Sequence, residues 1–174
     1  MKLCALILQC ALLTLLAAAQ QQPAPSVQQI LTWINEHFEK VEYDDGRFHT
    51  IEFSSLTFQG CSATLSERAT YSGLANLVHT EVYGPFDLSN LIPDKIKTSI
   101  STPPGASAPR FSLSIDSAHP DPLLHTASGE QSSSEFMSTI YINFATQDMA
   151  NRQAKAWHDA IVACGGKAVP DNLY

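Results

Sequence analysis

Positive charge is scarce in this sequence. Its 174 residues hold 10 lysines and arginines against 17 aspartates and glutamates, a formal net charge of −7. An acidic surface repels phosphate backbones and anionic lipid headgroups, so we expect no binding to nucleic acid or to a membrane surface. The sequence also lacks internal repeats and has no second apolar run of about 20 residues beyond its N-terminal one, so no integral membrane segment is expected after that run is removed.

Recognisable catalytic motifs are absent as well. There is no G-x-S-x-G nucleophile elbow, no phosphate-binding loop and no calcium loop. His79 and Glu81 form an H-x-E pair able to hold a divalent ion, but a metal site needs three or four ligands, and we expect a solvated sheet face instead. His119, Asp121 and His125 lie in a proline-rich stretch that is typical of a loop. We therefore predict no catalytic residue, cofactor or metal, with His79 and Glu81 as the weak candidates for metal ligands.

The first 19 residues have the order of a secretory signal peptide. Lys2 supplies a positive charge, residues 3–16 are almost continuously apolar, and residues 17–19 are alanines suited to a signal peptidase. An uncleaved anchor is the alternative. Cleavage near Ala19 leaves about 155 residues, an ordinary length for one domain.

The signal peptide predicts a secreted or periplasmic protein. Cleavage removes Lys2 and no acidic residue, which lowers the formal net charge from −7 to −8. The expected organisation is a signal peptide over 1–19, a linker over 20–25, a single domain over 26–166 and a flexible tail over 167–174.

Cysteine is also scarce: of four in the chain, only Cys61 and Cys164 remain after cleavage. In an oxidising compartment we expect them to form one disulfide. Cys61 begins a predicted strand on its core face, and Cys164 ends a predicted helix on its apolar face, so the two sulfurs can meet if the helix packs across the sheet. The alternative is two small buried residues that never meet.

Two helices enclose a series of strands in the predicted order of elements. Ser26 and Gln29 match the S-x-x-Q capping box, and an apolar stripe continues from there to a predicted helix end near Val41. The second helix begins after Thr146, a plausible N-cap, and carries one apolar face to Cys164, with a glycine beyond it as C-cap.

The strands between them are assigned from alternation of apolar and polar residues. Ile51 and Phe53 alternate with polar neighbours, and Leu56 and Phe58 resume on the other parity, which predicts a bulge or bend between them. From Cys61 the odd positions form a core face that includes Glu67. Residues 117–134 are polar and are predicted as a mobile loop, and a last strand over 136–144 precedes the second helix.

About six or seven short strands without crossover helices predict an α+β fold with an antiparallel sheet, an N-terminal helix and a C-terminal helix packed on the sheet. A meander of strands closed by one amphipathic helix resembles the pleckstrin-homology-like roll. More narrowly, "FQGC", "FDLSNLIPDKI" and "DMANRQAKAWHDAIVACGG" are similar to pieces of secreted bacterial proteins of unknown function, over roughly residues 48–166. The resemblance implies no activity. Phosphoinositide binding is not expected, because the loop that would hold the phosphates, "SSLTFQG", contains no basic residue.

Two classes of function follow. We expect an exported, non-catalytic binding or structural module whose partner is an unknown protein, peptide or small ligand. Stiff loops make reasonable contact surfaces, so Phe86, Leu88, Pro103 and Pro104 are the candidate contact residues. The alternative is that both loops only connect strands. The alternative is a hydrolase or metal-dependent enzyme whose site is assembled from distant positions. A pocket that gathers His79, Glu81 and a further histidine favours the enzyme.

Overall fold

The computed structural model describes residues 24–44, 48–72, 77–102, 106, 108–118, 123–128 and 131–168. The expected signal peptide lies outside the described residues, as do most of the linker and tail. Pro103, Pro104, His119 and Asp121 also lie outside them.

The described chain forms two α-helices and nine strands. The helices are α1 (Val27–Glu36) and α2 (Gln147–Ala163). The strands are β1 (Val41–Asp44), β2 (His49–Gln59), β3 (Ser62–Ser72), β4 (Leu77–Asp87), β5 (Lys97–Ser101), β6 (Arg110–Asp116), β7 (Leu123–Ser128), β8 (Gln131–Phe136) and β9 (Thr139–Phe144). Two short 3-10 helices, Leu88–Asn90 and Pro93–Lys95, join β4 to β5.

These strands form two antiparallel sheets, one with the order β1-β2-β3-β4-β7-β8 and one with the order β5-β6-β9. The α+β class with a helix at each end is therefore confirmed, while the strands divide into six and three where one sheet of six or seven is expected. The prediction of a loop over residues 117–134 is wrong for β7 and β8, which pair as a hairpin. Backbone hydrogen bonding to the edge of a sheet can order such polar strands without an apolar alternation.

Helix α1 begins as its sequence predicts and ends earlier. The backbone N–H of Gln29 donates to Ser26 Oγ at 3.3 Å, and the backbone N–H of Ser26 donates to Gln29 Oε1 at 2.8 Å, which completes the capping box. The prediction of a helix end near Val41 is wrong: the C-cap is His37, whose ring Nδ1 lies 2.7 Å from the Trp33 carbonyl oxygen. Val41 instead begins β1 and is buried.

Helix α2 follows its prediction closely. Thr146 Oγ1 accepts from the backbone N–H of Met149 at 3.2 Å, and the helix packs against the three-stranded sheet and α1. Trp157 is fully buried on the inward face. Gln153, also buried, donates from Nε2 to the Ile34 carbonyl oxygen at 3.1 Å and so satisfies a group at the carboxyl end of α1.

The expected disulfide is present. Cys61, just before β3, is bonded to Cys164, the C-cap of α2, across a sequence separation of 103 residues. The bridge fastens the end of the helix to the larger sheet.

The inward face of β2 differs from its prediction. Thr50 is fully buried and Phe53 is 52% exposed, so the even positions from Thr50 onward point inward and carry Glu52 with them. The bulge expected between Phe53 and Leu56 is absent, because β2 pairs with β3 in continuous register from His49 to Gln59. The irregularity lies instead on the other side of β3, in its pairing with β4.

The loop after β4 is anchored in the core. Phe86 is 2% exposed and Leu88 is fully buried, so the prediction that they form a contact surface is wrong. The backbone N–H of Leu88 donates to the Cys61 carbonyl oxygen at 2.9 Å, which holds this loop beside the disulfide. Burying large apolar side chains stabilises the fold more than leaving them exposed in a loop.

Among the described helices, neither is long and apolar enough to cross a membrane.

Candidate functional site: a cleft between the two sheets

A polar cleft of about 460 Å³ lies between the two sheets, within the size range of small-molecule sites. Strands β1 to β4 supply one wall, and β6 and β9 supply the other. The lining side chains that carry polar atoms are Tyr43, Glu52, Glu67, Tyr71, His79, Glu81, Tyr83, Arg110, Tyr141 and Asn143. Three carboxyl groups therefore share one cleft with four phenols and a single arginine.

Glu52 joins the two walls. Tyr43 Oη donates to its Oε1 at 3.1 Å, and Asn143 Nδ2, from the smaller sheet, donates to its Oε2 at 3.0 Å. Both oxygens of this carboxylate are thus hydrogen-bonded within the protein. Glu52 therefore links the larger sheet to the smaller one through its bond with Asn143.

Glu81 is anchored in the same way. Tyr83 Oη donates to its Oε2 at 3.0 Å, and His79 Nε2 lies 3.0 Å from its Oε1, where it donates when the ring carries its proton on that nitrogen. All three residues lie on β4 at alternate positions, so their side chains share the inward face.

Glu67 differs from the other two carboxyl groups. It faces Glu81 directly across β3 and β4, and Ser54 Oγ donates to its Oε1 at 3.2 Å. Its Oε2 accepts no hydrogen bond from any described residue. The residue keeps some contact with solvent through the cleft, but the protein atoms packed around its carboxyl exclude most water.

That surrounding protein raises the pKa of Glu67 to about 8, from an ordinary value of 4.5. Loss of solvation is the largest cause, and the negative charges of Glu52 and then Glu81 add to it, while the hydrogen bond from Ser54 acts in the opposite direction. Near neutral pH, Glu67 is therefore mostly a neutral carboxylic acid between two anchored carboxylates.

Two tyrosines beside these carboxyl groups stay protonated. Burial raises the pKa of Tyr43, and the charge of Glu52 raises it further while Arg110 lowers it. Burial also raises the pKa of Tyr83, and the charges of Glu67 and Glu81 add to the effect. Each phenol can therefore act as a hydrogen-bond donor over the physiological range.

Arg110 is the one cationic lysine or arginine in the described lining of the cleft. Its guanidinium carbon lies 3.7 Å from the centroid of the Tyr43 ring, a cation–π contact. No described residue accepts a hydrogen bond from it, and its Nε is buried without a partner. The group therefore carries donors that lack an acceptor.

The structure brings together only some of the candidate metal ligands that the sequence suggested. His79 and Glu81 meet as a pair on the wall of the cleft, where their side chains are 27% and 31% exposed. The cleft contains no second histidine from the described residues, and in that part of the chain no three His, Cys, Asp or Glu side chains are placed to hold a metal ion.

Sequence reasoning missed most of the cleft. Glu67 could have been found from the sequence, because it is a charged residue on the core face of an alternating strand. Glu52 could not have been found in this way, because the predicted alternation of β2 places Phe53 inward and Glu52 outward. Arg110 follows a proline-rich stretch, and nothing local indicates that it reaches the first strand.

A second cavity, of about 480 Å³, lies on the surface between α1 and α2. Its charged side chains are already engaged: Lys155 Nζ lies 2.7 Å from Asp159 Oδ2, and Arg152 stands 5.4 Å from the centroid of the Trp33 ring. It therefore offers fewer unused polar groups than the cleft between the sheets.

Comparison with known proteins adds no relative: no protein family model, no curated protein and no solved structure matches this chain.

Proposed function

We propose that this protein is an exported, non-catalytic module that binds a small polar ligand in the cleft between its two sheets. The observation that carries the proposal is the pair of unused groups in that cleft, the second oxygen of Glu67 and the donors of Arg110. Buried polar groups are normally hydrogen-bonded, so groups left without partners in a cavity of ligand size are suited to a ligand.

The anchored side chains around them support a preorganised site. Glu52 and Glu81 each have both oxygens hydrogen-bonded, so they do not need to rearrange when a ligand enters. A rigid site loses less conformational entropy on binding.

Export is the second part of the proposal. It rests on the order of charge, apolar run and alanines in residues 1–19, and the disulfide between Cys61 and Cys164 supports it, because such bonds persist in oxidising compartments. Fractionation of cells that express the tagged full chain, followed by mass measurement of the mature protein, tests export. Retention of the first 19 residues in a cytoplasmic protein would contradict it.

The pleckstrin-homology-like roll and the likeness to secreted bacterial proteins remain proposals about ancestry. A sheet followed by a C-terminal helix supports the roll, whereas the division into two sheets departs from a single bent sheet. A phosphoinositide ligand is not part of the proposal, because the carboxylates of Glu52 and Glu81 line the cleft and repel phosphate.

Ligand binding is tested by nuclear magnetic resonance on the mature domain. A library of small polar fragments is titrated into labelled protein, and we expect hits to shift the signals of Tyr43, Tyr83 and Arg110 while leaving those of Trp33, in the groove between the helices, in place. Hits that cluster at Trp33, or a library without hits, would contradict the proposal.

A hydrolase is the second candidate. Glu67, held as a neutral acid beside two carboxylates, has the protonation state that a general acid needs. Turnover of chromogenic glycosides or esters that Glu67→Gln abolishes would favour this candidate over simple binding.

A further inference from the structure

The two unused groups in the cleft need opposite hydrogen-bond partners: one offers an acceptor and the other offers donors. Glu67 presents an oxygen that accepts from no described residue, on the wall formed by the larger sheet. Arg110 presents donors without an acceptor, on the wall formed by the smaller sheet. The other two carboxyl groups, Glu52 and Glu81, already have both oxygens hydrogen-bonded.

We propose that the ligand of this cleft is a small zwitterion of the amino-acid class, with its ammonium group at Glu67 and its carboxylate at Arg110. This inference rests on the proposed binding function and gives it a ligand chemistry. An ammonium supplies donors and no acceptor, which suits Glu67 in the ionised form that the ammonium favours, and a carboxylate matches the fork of donors on a guanidinium.

The charges around each end agree with this orientation. Glu81 lies opposite Glu67 and adds negative potential at the ammonium end, and Glu52 adds more from β2. At the other end, Arg110 has no carboxylate within ion-pair distance among the described residues. Its guanidinium carbon instead lies 3.7 Å from the centroid of the Tyr43 ring, and the side chain lines the cleft, where no described residue accepts from it.

A zwitterion fits the cleft better than a ligand that carries only one of the two charges. An amine alone would leave the donors of Arg110 without an acceptor, and a carboxylate alone would add negative charge beside Glu52 and Glu81 without a cationic group to offset it. A buried group left unpaired costs binding free energy, so a ligand with both charges is favoured over either half. The phenols of the cleft, Tyr141 at its exposed mouth among them, supply ring surface to the carbon chain between the charges.

Calorimetric titration of the mature domain tests the inference. The probes are glycine, β-alanine, γ-aminobutyrate and ε-aminocaproate, which increase the spacing between the charges, with butylamine and butyrate as the two halves of γ-aminobutyrate. We expect one spacing to bind best, and the best zwitterion to bind at least about tenfold more tightly than an amine or a carboxylate of the same chain length.

Two variants assign the ends. Glu67→Gln should remove the advantage of the zwitterion over the carboxylate probe, and Arg110→Met should remove its advantage over the amine probe. Lys155→Ala, outside the cleft, should leave all affinities unchanged. Circular dichroism and urea midpoints confirm that each variant is folded.

Three outcomes would overturn the inference: amine or carboxylate probes that bind as tightly as every zwitterion, variants that lower all affinities equally, and zwitterions that fail to bind. If the fragments bind in the cleft while the zwitterions do not, the binding function stands and the ligand class is wrong.

Discussion

Glu67 and Glu81 lie directly opposite each other on β3 and β4, and only Glu81 has both oxygens hydrogen-bonded within the protein. Like charges directly opposite on neighbouring strands destabilise a sheet. The raised pKa of Glu67 relieves that repulsion near neutral pH, because its carboxyl then carries a proton.

This relationship predicts how stability depends on pH. The folded state holds the Glu67 proton up to a pH of about 8, whereas the unfolded chain loses it near 4.5. The unfolded state therefore binds fewer protons between these values, and the free energy of unfolding falls as pH rises through that window. The loss is on the order of a few kcal/mol, and Glu67→Gln should remove it.

Urea unfolding of the two proteins at about pH 5 and about pH 9 measures this effect. The variant should resemble wild type at the lower pH and exceed it at the higher one. A Glu67→Gln protein whose stability falls with pH as steeply as wild type would show that another group is responsible.

Ligand binding should also release protons. An ammonium that pairs with Glu67 favours its ionised form, so near pH 7 binding displaces the proton that the carboxyl holds there. The titratable groups that act on Glu67 or respond to it are Glu52 on β2 and Glu81 and Tyr83 on β4, and His79 contacts Glu81. Titration of the best zwitterion in buffers with different ionisation enthalpies should report release of up to about one proton, reduced in Glu67→Gln. Equal heats in all buffers would contradict this.

The disulfide should contribute strongly to stability. Replacing both cysteines, by Cys61→Ala with Cys164→Ala, opens a loop with a sequence separation of 103 residues. On the chain-entropy estimate the loss is about 4–5 kcal/mol. Comparison of urea midpoints with and without reductant checks it, and wild type should match the double variant once reduced. Two thiols that alkylate freely in unfolded, non-reduced wild type would contradict the bridge itself.

Truncation of Trp157 in α2 should destabilise the fold strongly. It is fully buried among both helices and the smaller sheet, so Trp157→Ala should lower the free energy of unfolding by about 3–5 kcal/mol. Lys155→Ala is the matched control on the same helix: its side chain is exposed and pairs only with Asp159, so a change within about 0.5 kcal/mol is expected. Similar urea midpoints for the two variants would show that the packed face is wrongly assigned.

Gly84 in β4 and Gly60 in the turn between β2 and β3 allow a comparison of steric contact with backbone strain. Gly84 has a φ of +113°, and a Cβ there would lie 2.8 Å from the Ala63 carbonyl oxygen, so Gly84→Ala should cost about 3 kcal/mol. Gly60 has a φ of +61° with open space around it, so Gly60→Ala should cost only about 1 kcal/mol. Thermal unfolding ranks the two, and an equal loss would show that the close approach is relieved by backbone movement.

The elements with strong local signals were predictable from the sequence. The capping box at Ser26, the N-cap at Thr146 and the cysteine at the end of an apolar helical face each depend on neighbours within a few turns. Strands without such neighbours were harder. Strand β8 is polar and lies at the edge of the larger sheet, where backbone pairing with β7 orders the chain.

The cleft could not be predicted in full, because it is made by contacts between distant strands. The apolar side chain of Phe53 suggested an inward position, yet tertiary packing buries Thr50 and directs Glu52 inward. The bond from Asn143 to Glu52 spans 91 residues, a separation at which no local pattern operates. Glu67 was visible as a polar residue on a core face, and its importance followed only from its neighbours on β2 and β4.

The bond between Cys61 and Cys164 also closes a covalent ring that contains β3 to β9 and all of α2. A protease that cuts one peptide bond inside this ring opens it but releases no fragment, since the two pieces stay joined through sulfur. Only a second cut within the ring, or reduction of the bridge, separates a piece from the rest. The chain therefore stays in one covalent piece after a single proteolytic cut anywhere between these two cysteines.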